Sequence, residues 1–467
     1  MKLIILGLDG MNLFLAEKCK KEMPNLNNLL QNGASGNLIS TYPPMTDPAW
    51  TSLQTGKNIG NHGTISFCNY DKNLNLQIHD AENLEEDTFY EILKSKGKNC
   101  FIMNVPLSKS NNINGDILDS WFSQKDNLIK PDSLKGKFPT IKNYQVFSKK
   151  MKEKETYLEG VSEVVDSQTK IIKEIINSKD YDLMFFQISA PDWIQHQAFL
   201  DIKYDKINKK TIISKNILFK IDQLIGWIKE NLNGCQFMIV SDHGFEEKSG
   251  TFFLNSWLKK EGYIFTSTKG KTMDNQYNKK ERKNLNLSPI INIVKRNRIL
   301  LNMAKKFYDK VRNKISLNII DQPTIDKEKT KAICLGKNVP VIKIFSKDNS
   351  EKDKIKKGLI EKINNIPNIQ AHDMQEFHKG KYSPKLGDII INVGDYELDT
   401  FIGNKIFLKG KTAFHSKKGI FLAYGNKINK TNLDPNIYDI APTILHMFNT
   451  KVPEDMNGKI LEILKKE

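Results

Sequence analysis

The sequence predicts an α/β fold: a three-layer sandwich around a mostly parallel central sheet, with a smaller α+β cap inserted late in the chain. Three observations carry this. Short, continuously apolar runs at Leu3–Leu8, Asn99–Val105, Leu183–Ile188 and Phe237–Val240 have the length of strands and no polar alternation, as strands covered on both faces do. Between them, longer stretches space their apolar residues three or four apart, as helices do. Three of the runs also lead into an aspartate, at Asp9, Asp192 and Asp242. With 467 residues the chain can bury a substantial core and still carry an insertion.

The elements follow in order. LIILGL forms the first strand and meets Asp9 directly; it is too brief for a secretory h-region, and no small-residue cleavage site follows. Pro24–Asn32 has helical spacing. TYPPMTDPAW, residues 41–50, sets Pro43, Pro44 and Pro48 around the hydroxyl of Thr46. NCFIMNV is the second strand. The helix predicted over Thr156–Asn177 buries Leu158, Val161, Val164, Val165, Ile171 and Ile172 on one face. LMFFQI is the third strand, and the SAPDWIQH after it sets Asp192 and His196 four residues apart, on one side of a helical turn. FMIV is the fourth, ending in Asp242-His243. Further on, VPVIKIF, a charged helix over Ser350–Asn365 and GDIIINVG form the small α+β unit. The chain therefore divides into an α/β core, 1–258 with 400–467, and an inserted basic cap, 259–399.

Lys and Arg exceed Asp and Glu by 17, which favours anionic partners and says nothing of fold. The excess is concentrated in Lys269–Lys314, where fourteen basic residues face only Asp274, Glu281 and Asp309, a balance of +11. That segment reads either as a solvated helix or as an electrostatic guide toward a phosphate-bearing substrate or a membrane surface. Its few aromatics, Tyr277, Phe307 and Tyr308, make no stacking platform for nucleic acid. Five scattered cysteines without C-x-x-C spacing exclude a thiolate zinc site and suit a reducing cytoplasm. No run of about 18 apolar residues predicts a membrane-spanning helix.

Functional groups in open parallel sheets collect beyond the carboxyl ends of the strands. Three carboxylates gathered there repel one another unless a cation intervenes, and with His196 and His243 they form an oxygen and nitrogen set suited to zinc, with manganese as the alternative. The lone histidines His62, His79, His372, His378 and His446 are read as structural.

Together these features resemble the alkaline phosphatase superfamily, most closely its type I phosphodiesterase and nucleotide pyrophosphatase branch. The resemblance rests on L-G-L-D-G at Asp9, P-x-T-x-P and T-G-x-x-x-G-x-H-G across Pro44–Gly63, P-D-x-x-x-H at Asp192–His196, S-D-H-G-F at Asp242, and A-F-H-S-x-x-G around His415. The closing YDIAPTILHMFNTKVPEDMNGKIL fits as well, leaving about 260–400 poorly covered. It implies Thr46 as nucleophile, one metal on Asp9, Asp242, His243 and Thr46, and a second on Asp192, His196 and His415. It implies a two-metal phosphoesterase that cleaves a phosphodiester or pyrophosphate bond through a phospho-threonine. The prolines would then hold Thr46 in line with phosphorus. Phosphomutase or phosphonate hydrolase chemistry on the same core, and non-catalytic polyanion binding, are the competing readings. Many nucleotide pyrophosphatases carry an Asn three residues beyond the nucleophile to bind a phosphoryl oxygen; here Ala49 stands there, so another group must meet that oxygen.

Overall fold

The computed structural model describes residues 1–66, 84–108, 112–120, 129–266, 325–346 and 348–465, with the backbone of two short strands at 68–70 and 76–78. The basic segment Lys269–Lys314 lies outside the described residues.

In chain order the described strands begin with β1 (Leu3–Leu8), β2 (Ala34–Ile39), β3 (Cys68–Tyr70), β4 (Leu76–Ile78), β5 (Cys100–Met103), β6 (Gly115–Leu118), β7 (Ile129–Lys130), β8 (Leu183–Ile188) and β9 (Gln236–Val240). They continue with β10 (Gly244–Phe253), β11 (Ala332–Gly336), β12 (Val339–Ile344), β13 (Gln370–Asp373), β14 (Ile389–Asn392), β15 (Tyr396–Asp399), β16 (Phe407–Ser416), β17 (Lys418–Tyr424) and β18 (Thr431–Asn432). Nine of them form the central sheet, in the order β18-β2-β17-β9-β1-β8-β5-β6-β7. Its middle, β9-β1-β8-β5-β6, is wholly parallel, while β17 and β7 run antiparallel to their neighbours.

Every residue of β1, β8 and β9 is buried, which is why these strands read as unbroken apolar runs. Alternate side chains serve opposite faces. Ile4, Leu6 and Leu8 join the helices Tyr157–Ser178 and Lys209–Glu230, whereas Leu3 and Ile5 pack with residues of the helices Thr46–Thr55, Phe89–Lys94 and Ile440–Met447. Full burial of each such side chain contributes about 1.5–3 kcal/mol, so both helical layers are held by the same central strands.

Register sets the site. Leu8 pairs with Ile188 and Gly7 with Val240, so β1, β8 and β9 end side by side and their following residues emerge at one edge. The long antiparallel pair β10 and β16, joined by β15, makes a separate three-stranded sheet that pairs Phe245 with His415. Strands β11, β12, β14 and β13 form a four-stranded sheet covered by the helix Asn349–Asn364. This sheet falls within 259–399, whereas β15, from the same range, pairs with β10 and continues the three-stranded sheet.

The four-stranded sheet meets the core along a seam. Ile59 and Ile65 cluster with Val341, Met374, Leu386 and Ile390, and Tyr42 donates its hydroxyl to Ile391 O at 2.6 Å. Gly60 lies where a Cβ would stand 2.5 Å from Lys379 O and 2.6 Å from His378 O, so only glycine allows this approach. The backbone of T-G-x-x-x-G-x-H-G is therefore a docking surface as well as a neighbour of the site.

Candidate active site

Thr46 opens the helix Thr46–Thr55, and Pro48 sits in that helix's first turn, where a missing N–H costs no hydrogen bond. The expectation of a proline-braced loop on both sides of Thr46 is corrected accordingly: Thr41–Met45 is irregular, and the second half of TYPPMTDPAW is helical. Thr46 Oγ1 lies 3.4 Å from His243 Nε2. The other hydroxyls of that helix are committed elsewhere, Thr51 to Asp47 O at 2.7 Å and Ser52 to His62 Nε2 at 2.8 Å.

All seven expected positions converge. Asp9, Asp242 and His243 follow β1 and β9; Asp192 and His196 lie in the first two turns of the helix Ala190–Lys203 after β8; His415 comes from β16. Asp192 Oδ1 stands 3.3 Å from His196 Nε2 and 3.2 Å from His415 Nε2. Asp242 Oδ2 and Asp9 Oδ1 stand 3.2 Å and 3.6 Å from His243 Nε2. Two groups have metal-ligating spacing: Asp192, His196 and His415, and Asp9, Asp192 and His243. The first is the expected set; the second brings Asp192 beside Asp9 and His243 as well, so Asp192 is within ligating distance of both groups.

The backbone fixes the imidazoles. His415 Nδ1 faces Pro44 O at 3.0 Å and His243 Nδ1 faces Gly244 O at 3.2 Å. A carbonyl can only accept, so each Nδ1 carries the hydrogen and each Nε2 presents a lone pair inward. His415 Nε2 also lies 3.1 Å from His196 Nε2, a close approach of nitrogens that a cation between them would relieve.

The carboxylates tell the same story. Asp9 Oδ2 accepts from Gln187 Nε2 at 2.8 Å and Trp50 Nε1 at 3.4 Å, and Asp242 Oδ1 accepts from Gly10 N at 3.0 Å. The remaining oxygens, Asp9 Oδ1 and Asp242 Oδ2, are buried without a hydrogen bond, as is Asp192 Oδ1. Burial pushes Asp9 well above the usual carboxylate range, reinforced by Asp242 and Asp192, and lifts Asp242 to about 8 against the Gly10 N–H. Burial would raise Asp192 too, but His196 and His415 hold it well below its usual value. Burial, with the charge of His415, drives His243 far down, and it lowers His415; Asp192 keeps His196 raised despite burial. A pocket of inward lone pairs and orphaned carboxylate oxygens is short of positive charge, and these donors fit divalent cations.

Three participants escaped the sequence reading. Gln187, a lone polar residue inside LMFFQI, was visible as an anomaly. Trp50 was not; it fits because Gly7 leaves space that a Cβ, 2.6 Å from the Trp50 ring, would fill. Pro44 contributes only its carbonyl, which no side-chain pattern reveals. Asn61, within the T-G-x-x-x-G-x-H-G stretch, donates to Asn457 Oδ1 at 2.9 Å.

The family model for type I phosphodiesterase / nucleotide pyrophosphatase matches residues 3–395. No curated protein matches the chain. Among solved structures, murine ectonucleotide pyrophosphatase / phosphodiesterase 5 aligns over 100% of both chains at 14% identity with a TM-score of 0.58. An inactive variant of that protein, in complex with AMP, aligns over 98% of this chain and 97% of its own at 14% identity and a TM-score of 0.57. Phosphonoacetate hydrolase from Sinorhizobium meliloti 1021, in complex with phosphonoformate, covers 94% of this chain and 93% of its own at 13% identity and a TM-score of 0.58. At such identities the likeness is one of fold.

Proposed function

The chain belongs to the type I phosphodiesterase / nucleotide pyrophosphatase family and is a phosphoester hydrolase; from that premise we propose that it cleaves a phosphodiester or pyrophosphate bond through a phospho-threonine on Thr46. The observation that carries this reading is the position of Thr46 Oγ1, 3.4 Å from His243 Nε2, beside two ligand groups that share Asp192.

The family is metal-dependent, and this donor set supports two divalent ions, zinc first and manganese as the alternative. Asp9, Asp242, His243 and Thr46 would hold one, and His196 and His415 the other, with Asp192 between them. Such ions, when bound, polarise a phosphoryl group and favour ionised Thr46.

The chain's own groups do the rest. With Ala49 in place of a side-chain amide, we assign non-bridging oxygen binding to the backbone amides at the start of the helix Thr46–Thr55. Oγ1 of Thr46 bonds to phosphorus as the ester oxygen departs, and water then cleaves the Oγ1–P bond and restores the hydroxyl. Trp50 and Gln187 keep Asp9 oriented through both steps. Residues 259–399 would select the substrate. The +11 balance of Lys269–Lys314 supports a role for that segment in steering anionic substrate or contacting an anionic surface. The scattered thiols, four of them free and buried, support a reducing, cytoplasmic setting. Among the described residues no helix is long and apolar enough to cross a membrane.

The test is hydrolysis of bis(p-nitrophenyl) phosphate against p-nitrophenyl phosphate, with zinc or manganese restored to chelated protein. Faster diester than monoester turnover, with ³²P or mass tag on Thr46 after acid quench, is expected. Turnover without any label on Thr46, or a monoester preference, overturns the specific reading.

A further inference from the structure

Large apolar side chains left in water gather at one place, where the helix Ala190–Lys203 turns into the helix Lys209–Glu230. Ile207 is 90% exposed and Ile212 60% exposed; Phe219, seven residues beyond Ile212 and so on the same helix face, is 42% exposed. Phe14, on the short helix Leu13–Lys18, is also exposed and packs against Phe199 at 5.6 Å. An isoleucine held in water forgoes about 1.5–3 kcal/mol of burial, so two together mark a surface built for an apolar partner.

That surface is amphiphilic. A recess of about 380 Å³ has aliphatic walls from Ile202, Ile207 and Ile212 and a rim of Lys18, Lys206 and Lys215. The lysines pair with Asp205 at 2.5 Å, Asp201 at 3.0 Å and Glu22 at 3.3 Å. Exposed pairs of this kind are worth about 1 kcal/mol or less, so the ammonium groups can turn to a denser anionic surface. Residues 17–22 and 201–220 together hold nine lysines against four carboxylates, and with Glu247, Glu159 and Asp166, which pair with Lys203, Lys209 and Lys220 from neighbouring elements, the balance is +2. Cores of protein interfaces are depleted in lysine, whereas aliphatic residues interleaved with lysine characterise helices that lie in a bilayer interface.

We propose that this surface seats an anionic phospholipid bilayer, Ile207 and Ile212 entering the acyl boundary while Lys18, Lys206 and Lys215 meet headgroup phosphates. It is distinct in sequence from Lys269–Lys314. The helix Ala190–Lys203 joins it to the catalytic crevice: Asp192 lies near one end and Ile202 near the other, about 15 Å away at 1.5 Å per residue, with His196 between them. Docking would hold the crevice close to the lipid headgroups.

The full-length protein is to be sedimented with sucrose-loaded vesicles of phosphatidylcholine alone and of phosphatidylcholine mixed with phosphatidylglycerol. Wild type should partition onto the mixed vesicles and hardly onto the neutral ones. Ile207→Glu with Ile212→Glu should weaken that partitioning about tenfold or more, and Lys206→Gln with Lys215→Gln should weaken it roughly tenfold. Melting temperature and hydrolysis of a small soluble ester should not change in either variant, because all four side chains lie at the surface. Absence of wild-type partitioning overturns the proposal, as does a double isoleucine variant that binds like wild type, which would move the contact elsewhere. A concentration-dependent dimer abolished by the same double variant, with no vesicle binding, would assign the face to a second copy of the chain instead.

Discussion

The imidazole rings of His243 and His415 lie face to face, their centroids 3.6 Å apart and their planes 19° from parallel. One ring follows β9 and the other ends β16, so this stack is where the central sheet meets the three-stranded sheet. It also places two ligand groups against each other with Asp192 between them.

Metal content should report that arrangement. His196→Ala should cost about one ion per chain, because His196 serves a single group, whereas Asp192→Ala should weaken both sites. Elemental analysis of the purified variants decides this. Loss of one ion alone from Asp192→Ala would return Asp192 to a single centre.

Thr46→Ala should lower kcat/KM for a diester by about three orders of magnitude or more while metal content and thermal midpoint stay close to wild type. Steady-state kinetics beside a melting curve make the comparison. Activity retained within tenfold would remove Thr46 from the nucleophile's role, since Thr51 and Ser52 are held by Asp47 and His62.

Metal-free protein should lose stability as pH rises from 6.5 to 8. Asp9 and Asp242 have folded values raised above the ordinary carboxylate range, Asp242 to about 8, so the folded state holds protons that the unfolded state has released. Stability from such groups is present at low pH and is lost as pH climbs toward the folded value. Above pH 6.5 the depressed histidines His243 and His415 no longer oppose this, because unfolded histidine is neutral there as well. Urea melts in chelator should show a fall of up to about 2 kcal/mol across that window. Asp242→Asn should lessen it, with Asp9 and the raised His196 keeping part of the slope, and zinc should abolish it; a rising curve in chelator would show that the carboxyls are ionised without metal.

At the seam, burial drives His378 down to about 4, with a hydrogen bond to the Tyr42 backbone only partly offsetting it. Its stabilising contribution is complete above pH 6.5 and is lost as pH falls toward 4, because unfolded histidine then binds a proton that the folded protein excludes. Wild type should lose up to about 3 kcal/mol more than His378→Gln over that interval. Parallel acid titrations followed by fluorescence would show equal slopes if His378 were not responsible.

Much of this was legible in the sequence because burial on both faces removes polar residues: β1, β8 and β9 had nowhere to place them, and the aspartates beyond their ends stood out. The helix Tyr157–Ser178 followed its spacing to within a residue or two at each end. β16 was not legible. FLKGKTAFHS is half exposed, carries three residues unsuited to a buried strand in its first five, and is strand because β10 pairs along it, so His415 lacked the apolar approach that marked the other ligands. β2, ASGNLI, likewise owes its state to β17 rather than to its own residues. The sharing of Asp192 depends on three chain segments meeting, and spacing along any one of them cannot show it.

The contact of Gly60 with the carbonyls of His378 and Lys379 bears on how this family could be recombined. The seam is keyed: one partner is a bare stretch of backbone four residues past the helix Thr46–Thr55, the other a particular pair of carbonyls. Four-stranded sheets exchanged between homologues would have to travel with residues 59–65 as a matched lock and key. A chimaera that grafted the four-stranded sheet alone would set foreign side chains against that keyway and misalign Thr46 even with every metal ligand intact.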